Sequence, residues 1–179
     1  EWQIRDLRII NNAVMGCRIN FGFQYRSDFR GESGIVDSVI AHNTFVDAHV
    51  DKGSHFSIDI QSGGKHSNSV FANNIMVQED ETCRVANGSN FEGITFKNNY
   101  WSSEPKDRFK GEGDIYGGDI PITREGTYEP GKLTADYFKL IEGSSVVNAG
   151  TQVPVAYEDY FDNIRDAEPD IGFQELPGG

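Results

Sequence analysis

The sequence predicts an all-β solenoid, a stack of short strands wound turn upon turn. Two observations predict it. Four segments repeat one pattern: Arg8-Ile9-Ile10-Asn11-Asn12-Ala13-Val14, Val39-Ile40-Ala41-His42-Asn43-Thr44-Phe45, Val70-Phe71-Ala72-Asn73-Asn74-Ile75-Met76 and Thr95-Phe96-Lys97-Asn98-Asn99-Tyr100-Trp101. One column is Asn throughout (Asn12, Asn43, Asn74, Asn99), at intervals of 31, 31 and 25 residues. A fixed interval of this size marks a repeat architecture. The residues between the repeats alternate as strands do and carry no helical period.

Each repeat reads as strand, sharp corner, strand. Asn tolerates the left-handed backbone better than other non-glycine residues, so the Asn column is expected to make the turn. Corners of successive turns then stack about 4.8 Å apart, close enough for their amides to form a ladder. After Asn43 come residues 44–50, a loop over 51–55, and Phe56-Ser57-Ile58-Asp59-Ile60, which alternates like a half-buried strand. A Gly-rich turn over 61–68 leads to the next repeat. Cys17-Arg18-Ile19-Asn20-Phe21 and Cys83-Arg84-Val85-Ala86 are the equivalent middle strands. Three short strands per interval suit a parallel β-helix, whereas βαβ units require a crossover helix for each parallel pair.

From Ser102 to Pro130 the apolar period fades, with Asp114-Ile115-Tyr116 expected as a last short strand. Thr134-Ala135-Asp136-Tyr137-Phe138-Lys139-Leu140 is the best helix candidate, capped by Thr134, with Phe138 and Ile141 as its apolar face. Residues 152–179 read as an irregular strap whose Val153, Val155, Tyr157, Tyr160 and Phe161 cover strand edges. One domain results, with coils over 1–103 and the last coil, cap and strap over 104–179.

The repeats over residues 4–103 resemble the C-terminal part of a right-handed parallel β-helix protein of the pectate-lyase-like superfamily. The tail adds to this. Ser144-Ser145-Val146-Val147-Asn148-Ala149-Gly150-Thr151, Asp162-Asn163-Ile164-Arg165 and Asp170-Ile171-Gly172-Phe173-Gln174-Glu175 resemble the closing segment of bacterial extracellular β-helix proteins. That segment usually has Ser-Pro at Ser144-Ser145 and Asp-Gly at Asp162-Asn163. The resemblance implies a right-handed helix, a bacterial secreted or cell-surface location and a polysaccharide partner. Lyases, hydrolases, epimerases, adhesins and silent binders all use this architecture, so activity must come from the site.

A net charge of −12 over 179 residues argues against nucleic acid, which basic patches bind. The same field repels a polyanion unless Arg, Lys or bound cations reverse it, and calcium is the natural bridge. No apolar run reaches membrane-spanning length and no signal peptide is present. Glu1 is not a natural start, which points to a mature fragment, a trimmed piece or a chain missing its first coils. The open N-terminal face is then expected to be covered by those coils, another domain or another chain. Aligning Cys17, Phe56 and Cys83 in one inward column places the two thiols two coils apart, too far for a disulfide, so both are expected free and buried.

Enzymes of the superfamily work on the face of the middle strands. The alignment puts Arg18, Ser57 and Arg84 in one outward column and Asn20 and Asp59 in the next. Lyase chemistry on a uronate needs its carboxylate neutralised and a base for the C5 proton, and Arg or Lys serves as base in such enzymes. Arg18, Asp59 and Arg84 are therefore the catalytic candidates. Asn20, Tyr25, Ser57, Gln61, Lys65 and His66 are the substrate-binding candidates. Asp47-x-His49-x-Asp51 alternates so that three metal-ligating side chains share one side, with calcium the expected ion. The plainer reading of Arg beside Asp is a cross-strand ion pair worth about 0.2–1 kcal/mol. His42, in the column of Asn11, Asn73 and Asn98, reads as a surface substitution. Asp162 and Asp170 read as structural, with Arg165 their partner. The expected function is lyase-like β-elimination on a uronate polymer. The alternative is a non-catalytic glycan-binding, adhesion or fibre module.

Overall fold

The computed structural model describes residues 2–23, 33–49, 56–61, 65–79, 84–88, 91–127, 129 and 131–177. Tyr25, Asp51 and Cys83 lie outside these. The described strands are short, and all pair in parallel. A pair joins β1 (Trp2–Arg5) to β5 (Ser33–Val36). A first sheet holds β2 (Arg8–Ile10), β6 (Val39–Ala41), β9 (Ser69–Ala72) and β12 (Ile94–Lys97). A second holds β3 (Ala13–Met15), β7 (Thr44–Val46), β10 (Ile75–Val77), β13 (Tyr100–Trp101) and β14 (Ile115–Tyr116). A third holds β4 (Ile19–Phe23), β8 (Phe56–Ile60) and β11 (Arg84–Gly88). Each of three passes of the chain adds one strand to each sheet, a fourth adds β12 and β13, and β14 extends the second sheet alone. Arg8 registers with Val39, Val39 with Val70 and Val70 with Thr95, so the sequence interval is the physical repeat.

The alternating residues face one shared core. Ile40, Phe71 and Phe96 enter it from the first sheet, Phe45, Met76 and Trp101 from the second, and Phe21, Ile58 and Ile60 from the third. Phe109, at the end of a 3-10 turn (Asp107–Phe109), closes the core against Phe96, Trp101 and Phe91.

The Asn column forms the expected ladder. Asn12 Nδ2 donates to Asn43 Oδ1 at 3.0 Å, Asn43 to Asn74 at 2.9 Å and Asn74 to Asn99 at 3.1 Å. The left-handed residue, however, is the one before it: Asn11, His42, Asn73 and Asn98 have φ of 58°, 54°, 55° and 49°. The preceding residue makes the turn, which leaves the ladder Asn free to point along the stack. The sequence reading also missed the terminus. Asn99 donates to Asp114 Oδ1 through its backbone N–H at 2.7 Å and its amide at 3.2 Å. Asp114 Oδ2 accepts from Trp101 Nε1 and the Gly111 N–H, both at 2.9 Å. Burial pushes the Asp114 carboxyl up, while these donors pull it down. A second ladder is made of serines, with the Leu7 N–H on Ser38 Oγ and the Ser38 N–H on Ser69 Oγ.

Three further expectations change. The helix candidate is a single 3-10 turn (Ala135–Phe138), in which Thr134 makes no side-chain cap. Ile141 is exposed, whereas Tyr137 and Phe138 pack on Ile75, Val77 and Tyr100. Cys17 is exposed and reduced, because Ile19, not Cys17, registers with Phe56. The C-terminal segment covers outer sheet faces rather than strand edges. Val153 and Ala156 lie on Ala41 and Ala72, while Val155, Tyr157 and Tyr160 face outward. Gly172 has φ of 105°, and a Cβ there would sit 2.6 Å from Ile75 Cδ1, so the segment lies directly on the sheet. Arg165 is its hub. Its side chain is 2% exposed and pairs with Glu175 at 3.1 Å. It reaches only the carbonyl of Asp170, whose carboxylate instead takes the N–H groups of Asn148 and Leu176, and Asp162 is exposed.

Asn74→Ala removes the acceptor of the buried Asn43 N–H and Asn43 amide and a donor to the Ile40 carbonyl, and is expected to cost about 3 kcal/mol in urea unfolding. Asn12→Ala, at the exposed end of the ladder, is expected to cost about 1 kcal/mol or less.

Candidate functional site

The third sheet carries the face on which catalysis was expected. Asp59 registers with Gly22 on one side and Asn87 on the other. Arg84 registers with Phe56, three residues short of Asn87, which is roughly 10 Å along the strand. Arg18 lies before β4, with its carbonyl accepting the Phe56 N–H, and is four residues from Gly22. The sequence alignment was therefore offset by two residues in the first coil and one in the third. It followed the two cysteines, of which Cys17 lies before β4, outside the strand pairing. Arg18, Ser57 and Arg84 do not form a column, and Arg18, Asp59 and Arg84 are not brought together.

Asp59 is buried, at 2% exposure. Its oxygens accept from Asn87 Nδ2 at 2.9 Å and Gln61 Nε2 at 3.5 Å. Among the described residues no Arg or Lys pairs with it. Ser57, two residues earlier, is fully buried with its Oγ unpartnered. The other substrate-binding candidates are dispersed. Asn20 ties a corner, accepting from the Cys17 N–H and donating to the Val46 carbonyl. His66 is buried edge-on to Phe23, and its Nδ1 accepts the Ile35 N–H. Lys65 is exposed, with its N–H on the Ser33 carbonyl.

A cavity of about 380 Å³ does gather polar groups. It opens where β7 and β10 end and the segment after β14 returns. Asp47 sits there at a left-handed corner, φ 39°, and its Oδ1 accepts the Glu79 N–H at 3.1 Å. Arg124 is also left-handed, φ 55°, and its N–H donates to the Tyr137 carbonyl at 2.9 Å. That turn carries its guanidinium between two carboxylates, with Nη2 3.5 Å from Asp47 Oδ2 and Nη1 bonded to Glu79 Oε2. Met15 and Tyr137 supply the apolar wall, Gln78 is pinned to Ala48 by both ends of its amide, and His49 stands at the rim.

Two carboxylates about one guanidinium leave one net negative charge. The arrangement accepts hydroxyl protons and offers one cationic donor. It does not fit calcium, which takes six to eight oxygens: one Asp47 oxygen holds a backbone N–H and the other faces Arg124. Among the described residues no three His, Cys, Asp or Glu side chains gather to hold a metal ion. The sequence named Asp47 and His49 but missed Glu79, Arg124 and Tyr137. Arg124 and Tyr137 fall outside the repeats, so no periodicity could bring them to this corner.

Because Asp59 is buried with no cation beside it among the described residues, Asp59→Asn is expected to raise stability by about 1 kcal/mol in chemical denaturation. A loss of similar size would mean that the negative charge itself is compensated and needed.

No protein-family model matches the chain, and no curated protein matches it.

Proposed function

We propose that the chain is a right-handed parallel β-helix of the pectate-lyase-like kind, and that it binds neutral glycan units without cleaving them, outside a bacterial cell or on its surface. The all-parallel sheets and the corner ladders support the architecture. The cavity of Asp47, Glu79 and Arg124 against Met15 and Tyr137 carries the function. Carboxylates accept from sugar hydroxyls, a guanidinium donates to ring or hydroxyl oxygens, and an apolar wall takes the C–H face of the ring. The volume of about 380 Å³ falls within the roughly 300–1,000 Å³ of small-ligand sites. The wall is narrow, since Tyr137 is 9% exposed, so contact is edgewise rather than a broad stacking platform.

Charge selects among sugars. A uronate meets one net negative charge in the cavity and −12 over the chain, whereas a neutral unit pays neither repulsion. β-Elimination would need cations to neutralise the uronate carboxylate, and the strand residues that register with Asp59 are Gly22 and Asn87, neither of them cationic. The binding reading therefore stands ahead of the lyase reading.

Isothermal titration of the whole chain with neutral and uronate oligosaccharides tests this. Neutral oligomers are expected to bind, uronates to bind more weakly, and a chelator to change neither. Glu79→Gln is expected to weaken neutral-glycan affinity about tenfold through loss of a charged acceptor, and Arg124→Ala by at least as much. Ultraviolet absorbance from unsaturated uronate products would reject the reading, and an unchanged affinity in both variants would reject the cavity.

A further inference from the structure

The corner column before the ladder Asn holds the C-terminal segment. Asn11 Nδ2 donates to the Glu158 carbonyl at 2.6 Å, and Asn98 Nδ2 to the Ala149 carbonyl at 3.0 Å. Asn73 grips at both ends: Nδ2 donates to the Thr151 carbonyl at 2.7 Å, and Oδ1 accepts the Thr151 N–H at 3.0 Å. Its backbone carbonyl accepts the Gly172 N–H at 2.8 Å. The remaining member of the column is His42, 0% exposed, with Nε2 2.8 Å from Asn73 Nδ2.

This geometry determines the state of His42. The Thr151 N–H fixes which end of the Asn73 amide is oxygen, so Nδ2 is the group facing His42. Nδ2 has two hydrogens and serves two acceptors, the Thr151 carbonyl and His42 Nε2. The imidazole is therefore neutral, with its proton on Nδ1. A second proton would set N–H against N–H. Flipping the Asn73 amide to receive it would break both bonds to Thr151.

We propose that His42 is an acid-sensitive latch: its protonation unhooks the segment around Thr151 and Gly172 from the corner of the stacked strands. Release bares the outer faces at Ala41 and Ala72, which Val153 and Ala156 cover. The charged groups facing His42 come from that segment. Arg165 repels an imidazolium and is held in place by Glu175, while the backbone of Gly172 and Asp170 lies against the ring and partly offsets that repulsion. From the stack, Asn73 faces it with its amide.

Burial, and then the Arg165 charge, hold the docked imidazole well below its ordinary value of 6.5. The released side chain regains that value, so docking is at full strength above it and weakens as pH falls below it. Asp170 and Glu175 are pushed up by burial, so they take protons more readily when docked and oppose release in more acid solution. The window therefore opens near pH 6.5, the ordinary imidazole value, and extends below it until those carboxyls take up protons.

Hydrogen exchange on the full chain, expressed as protection factors, tests the latch. Protection at the Thr151 and Gly172 amides is expected to fall about tenfold per pH unit across the window. His42→Asn, which makes the column all-amide, is expected to abolish that fall. A flat wild-type profile, or the same slope in the variant, overturns the latch. So does an equal fall at Met76, because the whole stack rather than the segment would then be opening. Nitrogen NMR of the wild-type imidazole at neutral pH gives a check that does not depend on the variant folding: a proton on Nε2 overturns the argument.

Discussion

The structure depends on how buried corners satisfy their polar groups. A tight corner leaves backbone donors that no strand partner can take, and burial makes each of them costly. Here the Oδ1 of Asn43, Asn74 and Asn99 each takes two donors from the turn before it, the backbone N–H and the carboxamide. The Asn43 and Asn74 N–H groups both lie 3.0 Å from the next Asn oxygen. All the amides run one way and end on Asp114, a carboxylate that satisfies four donors at once. Because every corner has the same neighbour, the same residue answers the same need. The repeat is a consequence of that shared geometry. The shorter last interval, 25 residues, is absorbed between the corners, so the ladder is unbroken.

The three sheets share an inner core but differ outside. The returning segment covers two of them. Its Tyr137, Phe138, Ile171 and Phe173 lie on the second sheet, and its Val153 and Ala156 on the first. The column at their common corner, Asn11 to Asn98, serves as a row of hooks. Arg165 binds hooks and segment together, reaching Asn11 Oδ1, the Gly172 carbonyl and Glu175. A buried ion pair of this kind earns its place through specificity more than through net stability, since desolvation offsets much of its attraction. The third sheet takes no such cover from this segment, and its outward column is polar. The cavity of Asp47, Glu79 and Arg124 arises where the cover ends, at the far corner of the second sheet.

Sequence patterns revealed the stack better than they revealed the site. The Asn column and the alternation around it were legible because both recur at constant phase. Asp114 was not, because it ends the series and shares no residue type with it. His42 was misread for a related reason: its column seemed exposed, and only the returning chain buries it. In the middle strands the two cysteines suggested a register that pairing does not follow. That offset moved Arg18 and Arg84 away from Asp59 and dissolved the catalytic column.

What the sequence by itself determined is the phase of the chain at the corners: where it turns, which residues beside the Asn column face the core, and that successive turns stack in parallel. Those properties follow from short-range geometry repeated many times. Tertiary structure alone decided what lies against the outside of the stack. Glu79, Arg124 and Tyr137 meet Asp47, and Arg165 meets Asn11, across intervals with no period. Their juxtaposition comes from where one irregular segment finds apolar faces to cover and polar corners to bind.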